Sequence, residues 1–248
     1  MRDILIFKQF QDYAKINIIS FLSEEMIKGF EIYFNELIEW NQKFNLISFK
    51  TEQDILYRHF CDCLYSAKAM SELENFKSAK VADLGTGSGM PGIPVKIVLP
   101  NIQITLVESI TKKCKFLESV NNKLNSNIEI LNTRAEEIGQ NLKYRNKYDF
   151  ILSRAVSKFS PNLEISIPLL KIGGYFIVHK TKDSILNLKE GLPSLDNALK
   201  HLGAKLEKTI SYNLPNQDLD YCVLIFKKYK DTPSQFPRKV GIPEKKPL

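Results

Sequence analysis

Several things are scarce in this chain of 248 residues, and each scarcity excludes something. No run of about 18 apolar residues occurs, so the sequence offers no membrane-spanning segment. The first residues set Arg2, Asp3 and Lys8 among apolar side chains, without an apolar core region or a small-residue cleavage site. Secretion is therefore not expected, and a cytoplasmic location is. Cysteine is limited to Cys61, Cys63, Cys114 and Cys222, with no C-x-x-C pair and no framework spacing, as suits reduced thiols. Cys61-x-Cys63 could be half of a metal site but has no second half, so the pair reads as small buried residues and no metal is expected. Residues 1–75 contain no proline and a single glycine, Gly29. That stretch lacks the punctuation of a sheet with tight turns.

The length fits one large domain, or one domain with a substantial addition. Apolar and charged residues make up 44% and 25% of the chain, as in ordinary globular proteins. Charge is unevenly spread. Residues 1–75 carry net −4 and the remainder net +11, within a total of +7. A basic remainder points to a polyanionic partner, because lysine and arginine gain affinity by displacing phosphate counterions. Charge alone is weak evidence, since scattered lysines usually form a solvated face.

Within residues 1–75, Ser23-Glu24-Glu25-Met26 offers an N-cap followed by first-turn acids. Ile27, Phe30, Phe34, Leu37 and Ile38 then recur at three and four residues, one apolar helical face. Asn41 and Asn45, between Trp40 and Ile47, suit a turn. Thr51-Glu52-Gln53-Asp54 caps a further helix running through Ile55, Leu56, His59, Leu64 and Ala67. On it Arg58 and Asp62 form an expected i,i+4 pair.

The most informative stretch is Val81-Ala82-Asp83-Leu84-Gly85-Thr86-Gly87-Ser88-Gly89-Met90-Pro91-Gly92. An apolar strand runs into a glycine turn that opens a short helix through Ile93–Leu99. Such a turn, at the carboxyl end of a parallel strand, holds nucleotide-like ligands in open α/β sheets. Glu108 closes the next strand, sixteen residues after Gly92. There an acid can accept hydrogen bonds from both hydroxyls of a ribose. The spacing is G-x-G-x-G rather than G-x-G-x-x-G, closer to the S-adenosylmethionine loop of class I methyltransferases than to an NAD fingerprint.

From Lys80 onward, strands and helices alternate. A helix is expected over Thr111–Leu124. Strands are expected at Asn127–Leu131, Tyr148–Arg154 and Tyr175–Lys180. A helix over Pro161–Leu170 stops near Gly173-Gly174, and a longer helix covers Ile185–His201. Strands at Ala204–Tyr212 and Tyr221–Phe226 flank Asn213-Leu214-Pro215-Asn216 as a hairpin. The predicted fold is thus α/β, a Rossmann-like, mostly parallel seven-stranded sheet with an N-terminal helical extension. Its divisions are a helical region 1–75, a catalytic domain 76–230 and a basic, proline-containing tail 231–248. The segment Lys227–Leu248 holds four prolines and seven basic residues against Asp231 and Glu244. It cannot fold alone, and either docks as an extended arm or lies along a polyanion.

With these residues assembled, the chain resembles the bacterial 16S ribosomal RNA guanine-N7 methyltransferases, also called glucose-inhibited division protein B, over nearly its whole length. The resemblance is carried by Trp40-Asn41 with Asn45-Leu46, by Arg58-His59 with Asp62 and Leu64, and by Asp83 through Pro94. Glu108-Ser109, Lys112-Lys113, Phe116-Leu117, Arg134 with Glu136, and Ser153-Arg154-Ala155 follow. Gly174, Lys180, Pro237-Arg238, Gly241 and Lys246-Pro247-Leu248 complete it. It implies methyl transfer from S-adenosylmethionine to a guanine in the decoding-region loop of small-subunit RNA, position 527 in the usual numbering. It implies cofactor contacts at Gly85, Met90, Ala135, Glu136 and Arg154, which join Gly87 of the glycine turn and the strand-end Glu108 as the expected cofactor residues. Two positions depart from the family pattern: Cys63 stands where serine is usual, and Thr181 where glycine is usual.

Guanine N7 carries a lone pair and no proton, so no acid–base catalytic residue is expected, and orientation of the reactants carries the rate. A cytosine-C5 enzyme would need a thiol beside the cofactor, and an adenine-N6 enzyme would carry Asn/Asp-Pro-Pro-Tyr where Ser153-Arg154-Ala155 stands. Arg58, Lys112, Lys113, Lys180 and Arg238 are the candidate RNA phosphate contacts, and 16S RNA or the small ribosomal subunit is the expected partner of a monomer. An NAD-dependent oxidoreductase and a non-catalytic RNA-binding assembly factor are the alternatives.

Overall fold

The structure, a computed structural model, describes all residues except 1, 75, 155–158, 182–191 and 216. Helix α1 (Arg2–Asn17) is followed by α2 (Glu24–Asn41). The Ser23 hydroxyl accepts from the Met26 amide at 3.2 Å, and Glu24 and Glu25 occupy the first turn, where the helix dipole favours them. The turn after α2 is tied by Asn41, whose Oδ1 accepts from the amides of Leu46 and Ile47 at 2.7 and 3.0 Å. Phe30, Phe34 and Leu37 are buried as the periodicity predicts, and Tyr33 is buried with them.

Helix α3 covers 52–71 and starts at Thr51, whose hydroxyl accepts from the Asp54 amide. Its middle, Ile55–Cys61, is π-helical, a wide turn often found at functional sites. The expected Arg58–Asp62 surface pair is not made. Arg58 is exposed, whereas Asp62 is buried against Arg154, His179 and Tyr212. A surface i,i+4 pair stabilises by only a few tenths of a kcal/mol, too little to hold Asp62 outward against charge-assisted bonds inside.

The sheet contains β1 (Lys80–Leu84), β2 (Gln103–Glu108), β3 (Glu129–Asn132), β4 (Tyr148–Ser153), β5 (Leu170–Thr181), β6 (Ala204–Asn213) and β7 (Asp220–Lys228). Their order is β3-β2-β1-β4-β5-β7-β6, parallel except for β7, which runs antiparallel to both neighbours. Helices α4 (Gly92–Val98), α5 (Thr111–Leu124), α6 (Ala135–Gln140), α7 (Phe159–Ser166) and α8 (Leu192–Leu202) cover the faces. Alternation along the strands divides the core. Val81, Ile104, Phe150 and Ile177 pack with the N-terminal helices, and Ala82, Val107, Ile151 and Phe176 pack with α7 and α8 on the other face. Strand order reverses between β1 and β4, which opens a crevice beyond their carboxyl ends.

The start of β5 differs from the sequence reading. Strand β5 begins at Leu170, not Tyr175, because Gly173-Gly174 forms an irregularity within the strand rather than a helix stop. Gly173 has φ +87°, and a side chain at Gly174 would lie 2.9 Å from the Asp149 carbonyl. The first part of the expected 185–201 helix and Asn216 lie outside the described residues. The tail does not extend into solvent. It returns across α6 and α7 and ends in a short turn of helix, α9 (Ile242–Lys245).

Candidate cofactor and substrate site

The glycine turn leaves β1 with φ of +64° at Gly85, +60° at Gly87 and +90° at Gly89, which glycine adopts at little steric cost. At Gly89 space is also exhausted, since a Cβ would fall 2.3 Å from Ile93 Cδ1. Asp83 ties the loop to α4: its Oδ2 accepts from the Thr86 hydroxyl at 2.5 Å and from the Gly92 amide at 2.8 Å. Its other oxygen, Oδ1, is buried with no hydrogen-bond partner. Burial raises the Asp83 carboxyl to about 7, against the opposing bonds from Thr86 and Gly92. A fully buried, half-satisfied carboxylate beside a glycine loop is a place for a cation.

Glu108 ends β2 facing the same loop. Its Oε2 accepts from the Gly87 amide at 2.9 Å and its Oε1 from the Ile110 amide at 2.8 Å. Each carboxylate oxygen keeps a lone pair for a further donor. The third support comes from the N-terminal helices: the buried Tyr33 hydroxyl donates to the Ser88 carbonyl at 2.6 Å. Nothing in the sequence distinguished Tyr33 from the core aromatics around it.

From the loop a cavity of 530 Å³ extends along the ends of the strands, lined by Gly85, Glu108, Ala135, Glu136, Asn162 and Gly241 among others. A larger hollow of 780 Å³, lined by Lys80, Gln103, Glu129 and Lys147, lies where the strands begin. Ligands of open α/β sheets bind at the carboxyl ends, so the smaller cavity is the candidate site. Ala135 and Glu136 open α6 there, half-buried.

At the crevice beside β4, Arg154 organises a buried polar network. Its Nε donates to Asp62 Oδ2 at 2.6 Å, one Nη approaches Met90 Sδ at 3.3 Å, and the other donates to the Arg58 carbonyl at 3.2 Å. That second Nη also meets His59 Nδ1 at 3.1 Å, and His59 Nε2 faces the Ser48 carbonyl at 3.1 Å. Burial, followed by the Arg154 charge, lowers His59 to about 4. The ring is therefore neutral at pH 7, with Nε2–H donating to Ser48 and Nδ1 accepting from Arg154. Asp62 Oδ1 accepts from the Tyr212 hydroxyl and faces His179 Nδ1 at 3.3 Å, while His179 Nε2 meets Ser66 Oγ at 2.5 Å. Burial alone would raise Asp62, but His179 and then Arg154 outweigh it and hold the carboxyl well below the usual range. His179 and Tyr212 gave no signal in the sequence, because only the fold brings β5 and β6 against α3.

The expected phosphate contacts separate. Lys112 and Lys113 lie in the first turn of α5, and Lys113 Nζ sits 3.9 Å from where a Gly87 side chain would begin. Arg58 is exposed beside the Arg154 network, and Lys180 lies half-buried over the Phe159 ring at 5.6 Å. Arg238 is elsewhere and committed: its Nε and Nη2 donate to the buried Glu164 at 2.8 and 2.5 Å. Of the two departures, Cys63 is buried in α3 and Thr181 closes β5 opposite Tyr221. Ala155 lies outside the described residues. Among those described, no cluster of His, Cys, Asp and Glu could hold a metal ion. No described helix is long and apolar enough to cross a membrane.

Residues 26–208 match the family described as rRNA small subunit methyltransferase G. The chain is 40% identical to the ribosomal RNA small subunit methyltransferase G of Alkaliphilus oremlandii, over 100% of this chain and 99% of that one. It is 41% identical to the enzyme of that name from Desulforamulus reducens, over 92% of each. Among solved structures, TYW2 of M. jannaschii in complex with AdoMet aligns with TM-score 0.51 and 14% identity, over 67% of this chain and 76% of that one. The [4+2]-cyclase SpnF aligns with TM-score 0.54 and 12% identity, over 83% and 96%. Those likenesses concern the fold alone, whereas the sequence relatives carry the activity. The chain belongs to the small-subunit ribosomal RNA methyltransferase G family, and S-adenosylmethionine is its methyl donor.

Proposed function

We propose that this enzyme methylates N7 of a guanine in the decoding-region loop of 16S ribosomal RNA, position 527 in the usual numbering, at the crevice between β1 and β4. The observation that carries the cofactor placement is the orphaned Asp83 Oδ1, buried behind a glycine loop held open by three left-handed glycines. Its raised carboxyl suits an incoming ammonium, the cationic group on the methionyl end of the donor. Glu108 takes the ribose hydroxyls, Ala135 and Glu136 take the adenine edge, and Gly85 and Gly87 let the ligand lie against the backbone. Met90 and Arg154 border the methionyl end, with Arg154 held by Asp62.

S-adenosylmethionine supplies an electrophilic methyl group, and guanine N7 supplies a lone pair. The protein's work is then alignment and exclusion of water, and no side chain is assigned proton transfer. Arg58, Lys112, Lys113 and Lys180 ring the carboxyl end of the sheet as phosphate contacts, consistent with the net +11 of residues 76–248. We read 1–75 as the support of the loop, 76–230 as the catalytic unit and 231–248 as a docked tail. The enzyme works as a monomer in the cytoplasm, where its ribosomal substrate is assembled. A non-catalytic assembly factor would have no use for the Asp83, Glu108 and glycine arrangement.

The test is chemical mapping. RNA treated with the enzyme and S-adenosylmethionine is reduced and cleaved with aniline, which breaks the strand at N7-methylguanine. A new stop at the decoding-loop guanine is expected, and methylation at another atom or another base would overturn the assignment.

A further inference from the structure

The tail forms one wall of the cavity assigned above to the donor's adenosine. Val240, Gly241, Pro243 and Glu244 line the same 530 Å³ as Gly85, Glu108, Ala135 and Glu136. It is fastened there in series. Arg145 donates to the carbonyls of Phe236, Thr232 and Pro233 at 2.5, 2.7 and 3.1 Å, and Gln140 donates to the Pro237 carbonyl. Pro237 packs so closely on α6 that a Cβ at Gly139 would lie 2.5 Å from it. Arg238 follows, donating from its backbone amide, Nε and Nη2 to Glu164 at 2.9, 2.8 and 2.5 Å. Glu164 is fully buried in α7, and the same guanidinium donates to the Lys246 carbonyl at 2.7 Å. The Gly241 amide then donates to Glu136 Oε1 at 3.3 Å, and Leu248 is held by the Ser160 hydroxyl.

We propose that Arg238 and Glu164 are positioning residues for the cofactor: their ion pair clasps the tail so that 240–244 closes the adenosine side of the pocket. This rests on the cofactor reading above. It also reassigns Arg238, whose principal donors face inward to Glu164 and are not offered to RNA. A surface lysine would lose little by leaving a carboxylate. Removing Arg238 leaves the fully buried Glu164 carboxylate unpaired, and removing Glu164 takes from the half-buried guanidinium its carboxylate partner; either change favours undocking of the tail. Apparent cofactor affinity then falls in proportion to the fraction of molecules whose tail is docked.

The experiment compares Arg238→Gln, Glu164→Gln and the double variant with the wild-type full-length chain. Affinity for S-adenosylhomocysteine is read by calorimetry, affinity for 16S RNA by filter binding, and turnover against S-adenosylmethionine concentration. Each single variant is expected to bind S-adenosylhomocysteine about tenfold more weakly, with KM for the donor raised, kcat at saturation retained and RNA affinity unchanged. The double variant should recover much of the loss, because two neutral amides leave no buried charge. Folded single variants with wild-type affinity, or a loss confined to RNA affinity, would overturn the proposal. If the single variants do not fold, Gly241→Ala is decisive. Its backbone stands at φ +78° with open space around a Cβ, so the change strains only the tip of the tail. About fivefold weaker S-adenosylhomocysteine binding is expected, and unchanged binding would overturn the clasp. If the wild-type chain binds no S-adenosylhomocysteine, the cofactor reading itself fails; binding indifferent to all variants sinks the clasp alone.

Discussion

Replacing Asp62 by alanine should be the most destabilising single change near the site. The side chains of Asp62 and Arg154 are 5% and 16% exposed, and their oxygen and nitrogen lie 2.6 Å apart. Alanine at 62 leaves the guanidinium with a thioether, a carbonyl and a neutral imidazole, none of them charged. It also removes the carboxylate shared by the Tyr212 hydroxyl and His179 Nδ1, which are left with each other, at 3.0 Å. Breaking a buried pair from one side costs about 3–5 kcal/mol. At about 2–4 °C per kcal/mol for a chain of this size, Tm should fall by about 6–20 °C. Thermal and urea unfolding would measure it, with Asp62→Asn and Arg154→Leu as companions. The double Asp62→Ala, Arg154→Leu variant should cost less than the sum of the single losses, since no buried charge remains. The pH dependence has a fixed sign. A carboxyl depressed in the fold contributes stability above its ordinary value of about 3.9, and loses it as pH falls through the folded value. The difference between wild type and variant should therefore hold steady from about pH 5 to 8 and shrink only below about pH 4. A loss under about 1 kcal/mol, or strict additivity in the double variant, would refute the reasoning.

Further outcomes follow from the loop and its supports. Tyr33→Phe strands the buried Ser88 carbonyl and should cost about 1–3 kcal/mol in thermal unfolding, with weaker S-adenosylhomocysteine binding; a melt and an affinity both unchanged would remove Tyr33 from the site. Asp83, raised to about 7, favours the neutral fold: that stability is full below about 3.9 and lost as pH rises through 7. Between pH 5 and 8 the unliganded protein should therefore lose stability relative to Asp83→Asn, while S-adenosylhomocysteine affinity rises over the same window. Flat profiles by calorimetry would contradict the Asp83 assignment. Gly85→Asp puts a side chain on a φ of +64° and a second carboxylate near Glu108. It should weaken cofactor binding about a hundredfold while RNA binding persists, and normal methylation by that variant would mean the cofactor lies elsewhere.

What the sequence disclosed follows the range of the forces involved. Local chemistry was legible: Ser23 and Thr51 as caps, the asparagine turn, the glycine spacing and the acid ending β2 are written within a few residues of where they act. The succession of strands and helices was legible in their alternation, apart from Gly173-Gly174, where a glycine pair reads alike as a helix stop and as an irregular strand. Long-range pairings were not legible. Asp62 looked like a surface partner of Arg58 because helical spacing is visible and the facing strand is not. Arg238 looked like a phosphate ligand because a basic tail shows its charge and hides its buried Glu164. Tyr33 sits at an apolar position, and only the Ser88 carbonyl opposite gives its hydroxyl a purpose.

The central claim is tested most directly by transfer of a labelled methyl group from S-adenosylmethionine to small ribosomal subunits and to free 16S RNA, both lacking the modification. The account predicts label in small-subunit RNA as N7-methylguanine at the decoding loop, absent with Gly85→Asp. Cofactor binding without label on either acceptor would contradict it.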